Sequence, residues 1–105
     1  MVNQRIINKV RDYLLLIPSE LGLKKAYLFG SFAKGKEHEG SDIDIALVLN
    51  SMDDFFSVQR ELMRLRRTID LRIEPHPIAE EDFKSTNPFA EQIEKFGIEI
   101  PLKSN

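Results

Sequence analysis

From Asn3 to Ile17 the apolar residues Ile6, Val10, Tyr13, Leu14 and Ile17 recur at three- and four-residue spacing, which predicts a helix with one apolar face. Pro18 ends it, and Ser19 to Gly22 makes a turn. Leu15 and Leu16 widen the apolar surface; a broad core stripe accounts for them, with a partner-facing surface as the second reading. Lys24 to Phe29 reads as a strand that runs into Gly30-Ser31, and ten residues later Asp42-Ile43-Asp44 opens a second apolar run, Ile45 to Leu49. The stretch is therefore expected to form strand, tight turn with a short helix, and strand.

Ser51 to Arg67 reads as a second long helix, with Ser51 and Asp54 as its capping pair and Phe55, Val58, Leu62 and Leu65 on the buried face. Arg60, Arg64 and Arg67 form a basic stripe beside that face, read as solvated, with contact to an acidic partner or RNA as the alternative. Thr68 to Glu74 alternates apolar and polar residues and predicts a third strand. Pro75-His76-Pro77 is expected to end it, because neither proline has an N–H to donate. Glu80 to Lys84 reads as a short helix. Asn87-Pro88 then caps and starts another, in which Phe89, Ile93 and Phe96 face the core and Gly97 closes the helix. Ile98 to Leu102 reads as a short last strand or edge segment, limited by Pro101. This order predicts an α/β or α+β domain: one small mixed β-sheet flanked by helices.

Chemistry concentrates around the first two strands. Side chains alternate along a strand, so Asp42 and Asp44 share one side and their carboxylates converge. Two anions held close on a half-buried strand are unfavourable unless a cation neutralises them. Oxygen-only ligands suit a hard divalent ion, and Mg²⁺ takes one or two protein carboxylates plus substrate phosphates. Gly30 leaves room for close approach, and Ser31 is a favoured helix N-cap, so backbone N–H groups after it could grip phosphate oxygens. Either piece alone is explained by an ordinary turn or strand start; at this spacing they read together as a site. Lys34 and Lys36 lie in the link, either within reach of a triphosphate or simply solvated. His38 is given no role. His76 has no second histidine or cysteine at ligand spacing and is read as structural.

The chain of 105 residues is expected to form one compact domain over 1–105. Hydrophobic residues at 42% and charged residues at 30% are those of a globular protein rather than a disordered one. A formal net charge of -2 supplies no overall attraction to nucleic acid or anionic membrane. The absence of cysteine removes disulfides, thiolate metal sites and cysteine nucleophiles. No run approaches the ~18 apolar residues of a membrane span, and the N-terminus lacks signal-peptide features, so a soluble, cytoplasmic protein is expected.

Gly30-Ser31, ten residues, then Asp42-x-Asp44 resembles the signature of the nucleotidyltransferase superfamily that includes DNA polymerase β, and the short chain resembles its minimal nucleotidyltransferase (MNT) branch. The resemblance implies two Mg²⁺ ions and ATP as donor. Gly30, Ser31 and Lys34 would bind the nucleotide, and Asp42 and Asp44 would hold the metal. It also implies a third carboxylate on the strand after the following helix; Asp70, which begins the expected third strand, is the first candidate and Glu74 the reserve. Two ions ~3.5–4 Å apart can stabilise the attacking and the leaving oxygen of an in-line displacement. In the family, stand-alone MNT proteins are often partnered with a helical HEPN protein as toxin and antitoxin, the MNT member transferring AMP to a tyrosine of its partner. AMP transfer to a HEPN-like partner protein is therefore the expected reaction. A homodimer that builds its own acceptor pocket is the other arrangement considered, and neither membrane nor nucleic acid is an expected partner. The competing functions are a non-catalytic, antitoxin-like binding module and nucleotidylation of a small molecule such as an aminoglycoside.

Overall fold

The side-chain oxygen of Asn3 accepts the Arg5 N–H at 2.9 Å, and the first helix, α1, runs over Gln4–Leu16 with Ile6, Val10, Tyr13 and Leu14 buried. The computed structural model describes residues 3–102. A 3-10 turn over Ser19–Leu21 and a left-handed Gly22 bring the chain into β1, Leu23–Phe29. One turn of helix, α2 (Ser31–Lys34), and a loop lead to β2, Ile43–Leu49. Then come α3 (Phe55–Leu65), β3 (Ile73–Ala79), α4 (Pro88–Phe96) and β4 (Ile98–Glu99).

Among the described residues the sheet has four strands in the order β3-β2-β1-β4. β1 runs antiparallel to both β2 and β4, whereas β2 and β3 are parallel. This is the mixed sheet of an α+β domain expected from the element order. The pleat sorts side chains onto two faces. Ile43, Ile45 and Leu47 point into the larger core with Val10 and Tyr13 of α1 and Leu62 of α3. Tyr27, Ala46, Val48 and Ile78 point the other way, onto Ile93 of α4. Tyr13 brings a hydroxyl into the larger core, where it donates to the Leu62 carbonyl at 2.7 Å; burial raises its pKa.

Several expected boundaries move. The second long helix starts at Phe55 rather than Ser51, because Asp54 is itself the cap: its carboxylate accepts the Phe56 and Ser57 N–H groups. Phe55 is consequently exposed at the first turn instead of buried. Phe96, expected in the core, is 58% exposed on the last turn of α4. The largest shift is in the third strand. Arg66–Thr68 is a 3-10 turn, Leu71 is exposed, and β3 begins only at Ile73 and continues through both prolines. β3 is an edge strand, and the Arg72 carbonyl faces β2, where it accepts from Ile43 N–H. Even-numbered residues therefore face β2, and Pro75 and Pro77 turn their missing donors to the open edge, where none is needed. Among the described residues no helix is long and apolar enough to cross a membrane.

Candidate active site

At the end of β1, Phe29 pairs with Asp44 of β2, so the next residue, Gly30, lies against the Asp44 side chain. Gly30 has φ 75° and ψ -150°, a conformation that favours glycine. A Cβ on it would stand 2.5 Å from Oδ2 of Asp44. No other residue type leaves that oxygen its place. Ser31 then opens α2, which Phe32 anchors by burying its ring in the larger core. The loop that follows is closed by a reciprocal pair: Ser41 N–H donates to the His38 carbonyl, and the His38 N–H donates to Ser41 Oγ, both at 2.9 Å. Ser41 is buried by this arrangement and leads into exposed Asp42, just before β2.

Asp44 lies on the α4 face of the sheet, half-buried. Its parallel neighbour in register is Glu74 of β3. His76, two residues further on, faces the same side and brings Nε2 to 3.1 Å from Asp44 Oδ1. A carboxylate accepts, so that nitrogen carries the hydrogen. This contact joins residues 32 apart in sequence and could not be read from local pattern; the sequence assigned His76 no role in the site.

Asp70 stands elsewhere, in the turn before β3. Its side chain is only 8% exposed, and Lys9 of α1 (2.8 Å) and Arg72 (2.7 Å) both bind its Oδ2. Oδ1 accepts the Arg72 backbone N–H at 2.9 Å and its Nε at 3.0 Å. These bonds, those of Arg72 foremost, hold the Asp70 carboxyl well below the usual carboxylate range against the opposing effect of burial. Arg72 itself lies over the Phe32 ring, 5.8 Å from its centre. The structure thus sets Glu74 beside Asp44 and engages Asp70 with two cations of its own. Among the described residues Glu74 has one distant cation, Arg66 at 3.8 Å.

Gly30 and Lys34 line one hollow of about 110 Å³ with Phe29, Gln92, Ile93 and Phe96, between α2 and α4. A larger groove of about 580 Å³, between α1 and the C-terminal segment, shares no residue with this corner. Among the described residues no three His, Cys, Asp or Glu side chains gather as a ready metal-ligand group. The donor set still fits Mg²⁺: the acids offer hard oxygens, the bare Gly30 leaves Asp44 Oδ2 accessible, and Mg²⁺ draws most of its ligands from water and phosphate.

The sequence profile of the family described as "Polymerase beta, Nucleotidyltransferase" matches residues 15–101. A chain of a toxin–antitoxin complex solved with AMP-PNP is 26% identical, with a TM-score of 0.67 over 93% of this chain and 74% of that one. A chain from a complex of tri-AMPylated Shewanella oneidensis HEPN toxin with MNT antitoxin shares the fold at 24% identity, with a TM-score of 0.61 over 95% and 72% of the two chains. No curated protein matches. Fold and relatives together define the class, a nucleotidyltransferase. The chain belongs to the polymerase β nucleotidyltransferase family, and its structural neighbours include chains of toxin–antitoxin complexes, one of them with an MNT antitoxin.

Proposed function

We propose that this protein transfers AMP from ATP to a hydroxyl group of a separate, HEPN-like partner protein. The observation that carries the reading is the contact of Gly30 with Asp44, which joins the two halves of the motif in one corner. The similarity to a toxin–antitoxin chain solved with AMP-PNP supports the choice of adenine nucleotide.

The acceptor oxygen attacks the α-phosphorus, the bond between that phosphorus and the bridging oxygen breaks, pyrophosphate leaves, and the hydroxyl proton passes to a carboxylate or to solvent. Gly30, Ser31 and Lys34 hold the β- and γ-phosphates, a neighbourly arrangement for Gly30 and Lys34, which line the same hollow. Asp42 and Asp44 would hold Mg²⁺, which when bound would offset the negative charge of the triphosphate and of the attacking and leaving oxygens. We assign the third acid to Glu74 ahead of Asp70. The register of β2 and β3 supports Glu74, and the double engagement of Asp70 with Lys9 and Arg72 argues for a structural role.

The test is incubation with α-labelled ATP and a helical protein encoded beside this one. Label is expected to enter the partner with the wild type and not with the Asp42→Asn/Asp44→Asn variant. Label that never enters the partner, with an active MNT control alongside, would sink the reading. A carboxylate variant that still silences its partner without transfer would make this protein a binding module instead.

A further inference from the structure

The Pro75-His76-Pro77 element has no part in the function proposed above, yet it delivers a ring nitrogen to the one acid that touches Gly30. Resting on that reading of the site, we propose that His76 is a positioning residue, which fixes the Asp44 carboxylate so that Oδ2 is the oxygen left to receive a cation.

The backbone of this element is rigid for a covalent reason. Pro75 and Pro77 each lock their own φ, and His76, preceding a proline, is confined to extended conformations. Register pairs His76 with Ala46, whose methyl group leaves the ring free to lean back along the strand toward Asp44. The ring meets Phe29 edge-on, with centres 5.0 Å apart at 65°, and Phe89 at a tilt of 40°, with centres 6.3 Å apart. The ring is 41% exposed, and between these two aromatic contacts its Nε2–H reaches Asp44 Oδ1 at 3.1 Å. Oδ2, on the other side of the carboxylate, is the oxygen facing Gly30. The two oxygens of one acid thus have different neighbours: one donates nothing and accepts from His76, the other looks onto bare backbone. Groups that orient a metal-binding carboxylate in this way raise affinity by removing its freedom before the ion arrives.

Two substitutions separate the ring from its N–H. His76→Phe keeps an aromatic group against Phe29 and Phe89 but has no donor; His76→Gln gives up the ring and keeps an N–H at similar reach. Binding of Mn²⁺ in the presence of a non-hydrolysable ATP analogue, followed by electron paramagnetic resonance, reads the effect without turnover, and thermal melting checks the fold. His76→Phe is expected to weaken Mn²⁺ binding roughly 10- to 100-fold with its melting temperature kept, and His76→Gln to restore most of the loss. Wild-type affinity in folded His76→Phe, or equal weakness in both folded variants, overturns the proposal. If His76→Phe fails to fold, His76→Ala against His76→Gln makes the same comparison. A folded wild type that binds no Mn²⁺ with the analogue overturns the reading of the site itself, and this inference with it.

Discussion

Asp44 and Asp70 are both aspartates drawn partly out of solvent beside the same pair of parallel strands, and their surroundings could hardly differ more. Asp70 has two cations and a backbone N–H around it, and its charge is answered within the chain. Asp44 has a histidine on one oxygen, a glycine against the other, and another acid as its neighbour in register. Among the described residues the acids that lie side by side, Asp44 and Glu74, meet no lysine or arginine closer than Arg66, 3.8 Å from Glu74, which leaves negative charge for a cation from outside. Saturation marks structure, and a deficit of partners marks a site.

The comparison can be broken most severely at Asp44 itself. Replacing Asp42 and Asp44 with Asn is expected to reduce AMP transfer by more than about a hundredfold, beyond what supporting groups usually contribute, with melting unchanged or slightly improved because the repulsion is gone. Glu74→Gln comes next: transfer falls roughly 10- to 100-fold while stability moves by less than about 0.5 kcal/mol. Asp70→Asn should do the reverse, costing about 1–3 kcal/mol in denaturant unfolding and leaving transfer within a few-fold of wild type. If instead Asp70→Asn abolishes transfer in a folded protein and Glu74→Gln does not, the two assignments exchange.

Asp70 also predicts a pH dependence with a definite sign. Its folded-state pKa lies below the unfolded value, so its contribution is complete above the unfolded carboxylate range and is lost as pH falls toward the folded value. The wild type should lose stability below about pH 4 more steeply than Asp70→Asn does. Unfolding curves that run parallel through the acid range would contradict this. The smallest effect belongs to Lys9→Met. Lys9 is 40% exposed and Arg72 remains in place, so a loss of under about 1 kcal/mol is expected.

What was legible in the sequence was local. The apolar period of α1, the Asn87 cap, and Gly30-Ser31 at a strand end are each written within a few residues, and each stands where the pattern puts it. The family resemblance was local too, since its motif spans the turn and the start of β2. The third strand was misread because alternation over Thr68–Glu74 is also satisfied by a 3-10 turn, an ion-paired aspartate and an exposed Leu71. The prolines compounded the error: they argue against a strand only if it is central, and position in a sheet is a property of the whole fold. The same limit hid the link between His76 and Asp44, which exists only once β3 lies parallel to β2.

The alternating prolines of β3 have one further consequence. On that margin the outward carbonyls of Ile73 and Pro75 already accept from Arg66 and Gln59, and two of the outward positions offer no hydrogen to a newcomer. An incoming chain would find a poor ladder to extend there, whereas on the opposite margin β4 pairs with Tyr27 and Leu28 of β1. Self-assembly by strand addition, the usual hazard of a small open sheet, is therefore discouraged on the β3 margin.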